Sequence, residues 1–183
     1  GKYAYVVGRN SDNLIVLDAT TYAILASIKV GNKPVALAVS GDGSKVYLAN
    51  RSGNTVAVVN TTTPTSPTLL TQVPVGEEPE GVALLNDGTK LYVTNSDSDT
   101  VSIFQVQSGP PYLSLLSTVN VGREPTGVAV TRPGSFVDGD FVYVANREDN
   151  TVAVIDTTND TVVAVILVGK GPKGVTAGII PTQ

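Results

Sequence analysis

Short apolar runs alternate with polar turns along the whole chain, and the alternation repeats four times. Runs such as Gly81-Val82-Ala83-Leu84-Leu85 and Gly127-Val128-Ala129-Val130-Thr131 have strand length. Val and Thr dominate them, and β-branched residues fit a pleated surface better than a helix. Between runs lie turn sequences, Gly41-Asp42-Gly43-Ser44 and Asn86-Asp87-Gly88-Thr89, with the chemistry of tight hairpins. No segment sustains the 3.6-residue period of an amphipathic helix. The longest apolar run, 162–168, falls far short of the ~20 residues a membrane helix needs.

The repeat has fixed landmarks. Val-Gly pairs stand at Val30-Gly31, Val75-Gly76, Val121-Gly122 and Val168-Gly169, each followed three residues later by Pro34, Pro79, Pro125 or Pro172. A tyrosine motif recurs inside each unit: Tyr5-Val6-Val7-Gly8, Tyr47-Leu48-Ala49-Asn50, Tyr92-Val93-Thr94-Asn95 and Tyr143-Val144-Ala145-Asn146. Each unit reads as four strands: one after the Pro, one on the Tyr motif, one after an Asx-rich loop and one ending in Val-Gly. Four strands repeating every ~40–50 residues are the mark of a β-propeller blade.

The spacing predicts an all-β, four-bladed β-propeller of four-stranded antiparallel blades in a single domain. Blade 1 takes 1–33 plus 172–183, blade 2 takes 34–78, blade 3 takes 79–124 and blade 4 takes 125–171. The first unit lacks a strand after a Pro, and 172–183 supplies one with nothing behind it. The C-terminal strand is therefore expected to pair with the N-terminal blade and close the ring, within one chain or by donation between chains. Residues 132–140 lengthen a turn of blade 4.

The recurrent residues have structural readings. Asp12, Asn54, Asp99 and Asn150 are expected to bond local backbone amides and fix the loop after the Tyr motif. Asn50, Asn95 and Asn146, with Gly8 in the first unit, are expected at positive φ. The motif tyrosines are expected between blades.

These units resemble the YVTN-family propeller repeat, and Tyr92-Val93-Thr94-Asn95 spells that motif. The resemblance covers essentially the whole chain. It implies a propeller of the kind found in surface-layer and other exported proteins, related to larger lactonase-like propellers with about seven blades. The location it implies is extracellular, cell-surface or periplasmic.

Composition narrows the chemistry. The 183 residues include no Cys, His, Met or Trp. That excludes the usual zinc sites and iron–sulfur clusters, and it removes the Ser-His-Asp and Cys-His systems. Calcium-like fragments, Asp97-Ser98-Asp99 and Asp138-Gly139-Asp140, lack the spaced glycine and distal glutamate of an EF-hand. No metal or other cofactor is expected. A net charge of −4 argues against nucleic acid, and no membrane insertion is expected.

Non-recurrent residues carry the candidate chemistry. Arg9, Arg51 and Arg147 share one loop position, and Glu80 and Lys173 each follow a repeat Pro near the channel mouth. Together they form a candidate site for a carboxylate or sulfate group. The outer strand of each blade is an exposed edge. Polar residues or Pro guard it in three blades, but Val163, Val165 and Leu167 leave the fourth unguarded and mark a candidate interface. Without the common catalytic side chains, the leading expectation is a non-catalytic, exported scaffold or protein-interaction module, one that assembles with itself or with another protein. A ligand or glycan binder and a lactonase-like hydrolase are the alternatives.

Overall fold

The computed structural model describes residues 1–131 and 140–177. Within them every regular element is a strand except one short 3-10 turn, Arg51–Gly53. Blade 1 comprises β1 (Tyr3–Gly8), β2 (Asn13–Asp18) and β3 (Ile24–Lys29). Blade 2 comprises β4 (Pro34–Val39), β5 (Lys45–Asn50), β6 (Thr55–Asn60) and β7 (Thr68–Pro74). Blade 3 comprises β8 (Pro79–Leu84), β9 (Lys90–Asn95), β10 (Thr100–Val106) and β11 (Leu113–Asn120). Blade 4 comprises β12 (Pro125–Val130), β13 (Phe141–Asn146), β14 (Thr151–Asp156) and β15 (Thr161–Leu167). All pairings are antiparallel between chain neighbours, so each blade is a meander.

The repeat fixes more than strand order. In every blade the register of the two outer strands shifts at one equivalent place, after Val16, Val58, Ile103 and Val154. Such bulges raise the local twist, which a blade needs to splay outward from its inner strand. The middle strands of blades 2 and 3 are apolar on both faces because a blade lies on either side, and those of blades 1 and 4 bury the face toward their one described neighbour. Val46, Leu48, Val93, Val144 and Ile103 are wholly buried. The core consists of three layers between successive blades.

A buried asparagine and an Asx side chain tie each crossing. Asn50 is extended, at φ −99° and ψ 94°, rather than left-handed as the sequence suggests. Its work is hydrogen bonding: its Nδ2 donates to the Val30 carbonyl at 2.9 Å and to Thr55 Oγ1 at 3.1 Å. Asn95 and Asn146 donate in the same way to Thr100 and Thr151, and neither they nor Gly8 takes positive φ. The left-handed residues are the Asx set itself, Asp12, Asn54, Asp99 and Asn150, at φ 50–58°. Their side chains do not cap their own loops. Asp12, Asn54, Asp99 and Asn150 accept from the amides of Lys33, Glu78, Glu124 and Gly171 at 2.8–3.0 Å. Each acceptor thereby holds the residue before the repeat Pro, which is also left-handed.

Close backbone approach sets the spacing of the inner strands. A Cβ on Gly81 would lie 2.4 Å from the Thr126 carbonyl, and one on Gly127 would lie 2.6 Å from the Lys173 carbonyl. Thr94 Oγ1 bridges two blades, accepting from Gly81 N at 2.8 Å and donating to Thr126 O at 2.9 Å.

The expected closure within one chain is corrected here. Among the described residues blade packing runs from blade 1 to blade 4 and no packed interface returns from blade 4 to blade 1. Residues 172–177 form no ladder with β1, and blade 1 keeps three strands. The reason is local: 172–175 continue the inner-strand progression beyond β12, with Lys173 standing over Gly127 as Thr126 stands over Gly81. That step leads onward around the ring axis instead of back to β1. The remainder of the closing segment, 178–183, and the insertion over 132–139, with Asp138 and Gly139, lie outside the described residues.

Candidate functional site

The loops that leave the second strand of each blade share one face with the crossings into the next inner strand. On that face a cavity of about 490 Å³ opens between the inner strands of blades 2 to 4 and residues 173–175. This size lies in the range of small-molecule sites. Glycines at 81, 127 and 174 keep its walls close to bare backbone, and Arg51, Arg147, Lys173, Glu80, Glu124 and Thr126 supply its polar groups.

Four of the five expected site residues meet there. Arg51 follows β5 in the 3-10 turn, Glu80 is the second residue of β8, Arg147 follows β13 and Lys173 follows Pro172. Arg9, at the equivalent loop of blade 1, is exposed and does not line the cavity. Blade 1 lacks the inner strand that would bring it to the axis.

The arginines are not free to grip an anion unaided. Arg51 spans two carboxylates: its terminal nitrogen pairs with Glu78, and its Nε lies 2.6 Å from Glu80 Oε1. That Nε is buried and lacks a well-aligned acceptor, so the Glu80 contact is a close ion pair without the geometry of a good hydrogen bond. Arg147 pairs with Glu124 and lies 3.9 Å from Glu148. Lys173 has no ion pair among the described residues. The cavity therefore sets Arg51, shared between Glu78 and Glu80, and the Arg147–Glu124 pair beside Lys173. On the outer rim, Asp149 accepts from the Arg123 amide and from its Nε, both at 2.7 Å. Those two bonds hold the Asp149 carboxyl below its ordinary range.

Glu124 and Thr126, which the repeat places on the charged loop face and at the channel mouth but which are not among the five candidate site residues, also line the cavity. Both flank a repeat Pro at the positions occupied by Glu78 and Glu80 one unit earlier. No group of three or more potential metal-ligating side chains occurs among the described residues.

Val163, Val165 and Leu167 lie on β15 as expected, and they are 52%, 63% and 80% exposed. Nothing among the described residues covers them.

Short antiparallel meanders packed side by side around a charged axial cavity define a β-propeller, and the candidate site is that cavity. The chain belongs to the lactonase family of seven-bladed β-propellers, whose pattern matches residues 1–130. No curated relative matches the chain in sequence. Among solved structures, a Lactobacillus plantarum protein is 20% identical at a TM-score of 0.81, covering 94% of this chain and 54% of its own. The Pseudomonas aeruginosa periplasmic gluconolactonase is 22% identical at 0.77, with 93% and 52% covered. Kuenenia stuttgartiensis hydrazine synthase is 19% identical at 0.77, with 92% and 46% covered. At such identities the likeness is one of fold. The chain spans about half the length of these structures.

The family membership overturns the expectation of a non-catalytic structural or self-assembling scaffold. Absence of His and Cys removes some nucleophilic systems, but hydrolysis of a strained or activated ester needs only a carboxylate, a water and cationic donors. No helix among the described residues is long and apolar enough to cross a membrane.

Proposed function

We propose that the protein is a lactonase-like hydrolase that opens a small lactone in the axial cavity. The observation that carries this reading is the coincidence of lactonase-family membership with a cavity that holds Glu80, Arg51, Arg147 and Lys173 together. Arg51 holds Oε1 of Glu80 and leaves Oε2 to orient a water. That water attacks the lactone carbonyl carbon as Glu80 takes its proton. Arg147 and Lys173 stabilise the negative charge that develops on the carbonyl oxygen. The ring C–O bond then breaks. The departing ring oxygen recovers the proton from Glu80, giving a hydroxy acid from lactone and water.

The Lys173 cation also stabilises the carboxylate as it forms. The YVTN-like motifs and the fold likeness to a periplasmic gluconolactonase support a location outside the cytoplasm.

The test is a pH-indicator assay of the purified chain against γ- and δ-lactones of sugar acids, side by side with Glu80→Gln. The expected result is turnover by the wild type and a loss of about 100-fold or more in kcat for the variant, the scale of a general base. Turnover unchanged in the variant would remove Glu80 from the mechanism. Wild-type inactivity across the lactones would overturn the reading.

A further inference from the structure

The repeat places two lysines at one position, and only one of them meets an acid. Asp42-Gly43-Ser44-Lys45 and Asp87-Gly88-Thr89-Lys90 are matching hairpin turns, and each lysine opens the second strand of its blade, β5 or β9. Lys90 Nζ reaches across to blade 4. There it donates to both carboxylate oxygens of Asp160 at 2.8 and 2.9 Å and to the Thr157 carbonyl at 2.7 Å. Lys45 forms no ion pair among the described residues.

The difference lies in the turn of the next blade. Asp160, at φ 56°, is the left-handed residue that leads into the outer strand of blade 4. The left-handed residue that leads into the outer strand of blade 3 is Tyr112, at φ 66°. So where the joint between blades 3 and 4 carries a carboxylate, the joint between blades 2 and 3 carries a phenol.

A pocket of about 170 Å³ opens at that second joint. Ser44, Lys45, Asn60 and Thr62 line it from blade 2, Ser108 and Tyr112 line it from blade 3, and no acid lines it at all. It shares no residue with the axial cavity, because Lys45 and Arg51 lie at opposite ends of β5. Its lining is rich in donors. The backbone amides of Ser44 and Lys45 are engaged within the turn at 2.9 Å each, and their side chains are left for a ligand. Asn60 Oδ1 already accepts from the Thr62 amide and hydroxyl at 2.9 and 2.8 Å, so its Nδ2 is the group it offers. A cation beside amide and hydroxyl donors, with no protein carboxylate among them, is a composition that recognises an oxyanion. The matching joint narrows the oxyanion to a carboxylate, since a carboxylate is what the equivalent lysine holds there with both oxygens.

We propose that this pocket binds a small free carboxylic acid, whose carboxylate takes at Lys45 the place that Asp160 takes at Lys90. With about 30 Å³ for each water-sized group, the pocket admits an acid of about five or six non-hydrogen atoms. That is the size of a short hydroxy acid. The serine hydroxyls and the Asn60 amide meet its oxygens, and the Tyr112 ring meets its carbon chain. A bound acid then links blade 2 to blade 3 as Asp160 links blade 3 to blade 4. The proposal is independent of the chemistry assigned to the axial cavity.

Titration of the isotope-labelled chain with sodium lactate, followed by amide NMR, tests it against sodium chloride at equal ionic strength. Lys45→Gln and Tyr112→Asp are titrated beside the wild type. The expected wild-type result is saturable movement of the Ser44, Lys45 and Thr62 amide signals with lactate and none with chloride. Lys45→Gln keeps the aliphatic stem and should weaken binding about tenfold or more, the scale of one lost bond to a charged group. Tyr112→Asp should supply from within the chain the acid that lactate supplies from outside, and so abolish binding. Lys45→Gln keeps the test decisive even if Tyr112→Asp fails to fold. Equal movement with chloride would overturn the proposal, as would lactate shifts confined to Arg51, Glu80 and Lys173. So would undiminished affinity in either folded variant.

Discussion

Lys90 and Asp160 form an ion pair that fastens blade 3 to blade 4, and its removal has a calculable cost. Lys90 Nζ donates to Asp160 Oδ1 and Oδ2 at 2.9 and 2.8 Å and to the Thr157 carbonyl at 2.7 Å. The two side chains are only 18% and 14% exposed. Tyr92 OH adds a weaker bond to Asp160 at 3.3 Å. Burial, together with the adjacent Asp160 carboxylate, drives the Tyr92 hydroxyl well above its ordinary pKa and keeps it a donor. Lys90→Met keeps the aliphatic stem and deletes three charge-assisted bonds, leaving Asp160 with the Tyr92 hydroxyl. Bonds to charged groups are each worth about 1.5–3 kcal/mol, but the lost interactions are partly replaced by water at this exposure. We expect a loss of about 2–3 kcal/mol, or about 4–12 °C in Tm for a chain of this size. Asp160→Asn should cost less, since an amide still accepts from Lys90. The double variant should show a coupling of about 1.5 kcal/mol by urea unfolding. A coupling below about 0.5 kcal/mol would mean that the pair is an incidental surface contact, and the reasoning from its burial would fail.

Three further outcomes follow from the geometry. Asp99→Ala should destabilise by about 1–3 kcal/mol, because it frees the Glu124 amide and places a Cβ residue without a local bond at φ 55°. Asp99→Gly should cost less because the backbone strain is relieved, and chemical denaturation of both variants separates the two contributions. Gly81→Ala should destabilise by about 1–3 kcal/mol, since its Cβ would stand 2.4 Å from the Thr126 carbonyl and 2.8 Å from Thr94 Oγ1, and a variant as stable as wild type would refute that contact. Asp42 is held at about 2 against an ordinary 3.8 by the Ser40 hydroxyl and then the Ser44 amide. Its lowered folded pKa contributes stability above pH ~4 that disappears as the pH falls to ~2; carboxyl titration by NMR should show that window, and Ser40→Ala should move it upward.

Strand order and the burial of the middle strands were legible in the sequence because they follow from local alternation and a fixed repeat. Tyr47 and Tyr92 lie between blades as their motif implies, whereas Tyr5 and Tyr143 stay half-buried because they belong to the end units. The Asx residues were misread in one respect. Local sequence suggests that Asn54 fixes its own loop, but its side chain reaches the amide of Glu78 in the crossing to the next blade. That bond depends on how strands fold back, which nearest-neighbour reasoning does not contain. The same limit explains Glu78 and Glu124. Their charge was plain, yet only the crossing geometry shows each paired with an arginine that would otherwise look available for a ligand. Arg9 does not line the cavity for a topological reason: its loop is equivalent, but among the described residues its blade has no inner strand.

The division between recurrent and variable positions accounts for the chemistry the cavity offers. An Asx acceptor, a left-handed residue and a Pro recur at all four crossings, so the backbone reaches the axis in the same pose each time. The residue after the Pro is then free to differ, and it reads Val35, Glu80, Thr126 and Lys173 in turn. A rigid frame that presents an apolar group, an acid, a hydroxyl and a cation at equivalent positions can position unlike groups around one small substrate without any loop having to move. Exchanging Glu80 and Lys173 between their positions tests whether placement or mere composition matters. The double exchange keeps net charge and both backbones, and it separates Glu80 from Arg51, its partner at 2.6 Å. Retained folding with lost turnover on the lactone panel would show that the acid and the cation work only in their own positions. Retained turnover would show that the carboxylate needs no such partner, and the mechanism drawn from that pair would be wrong.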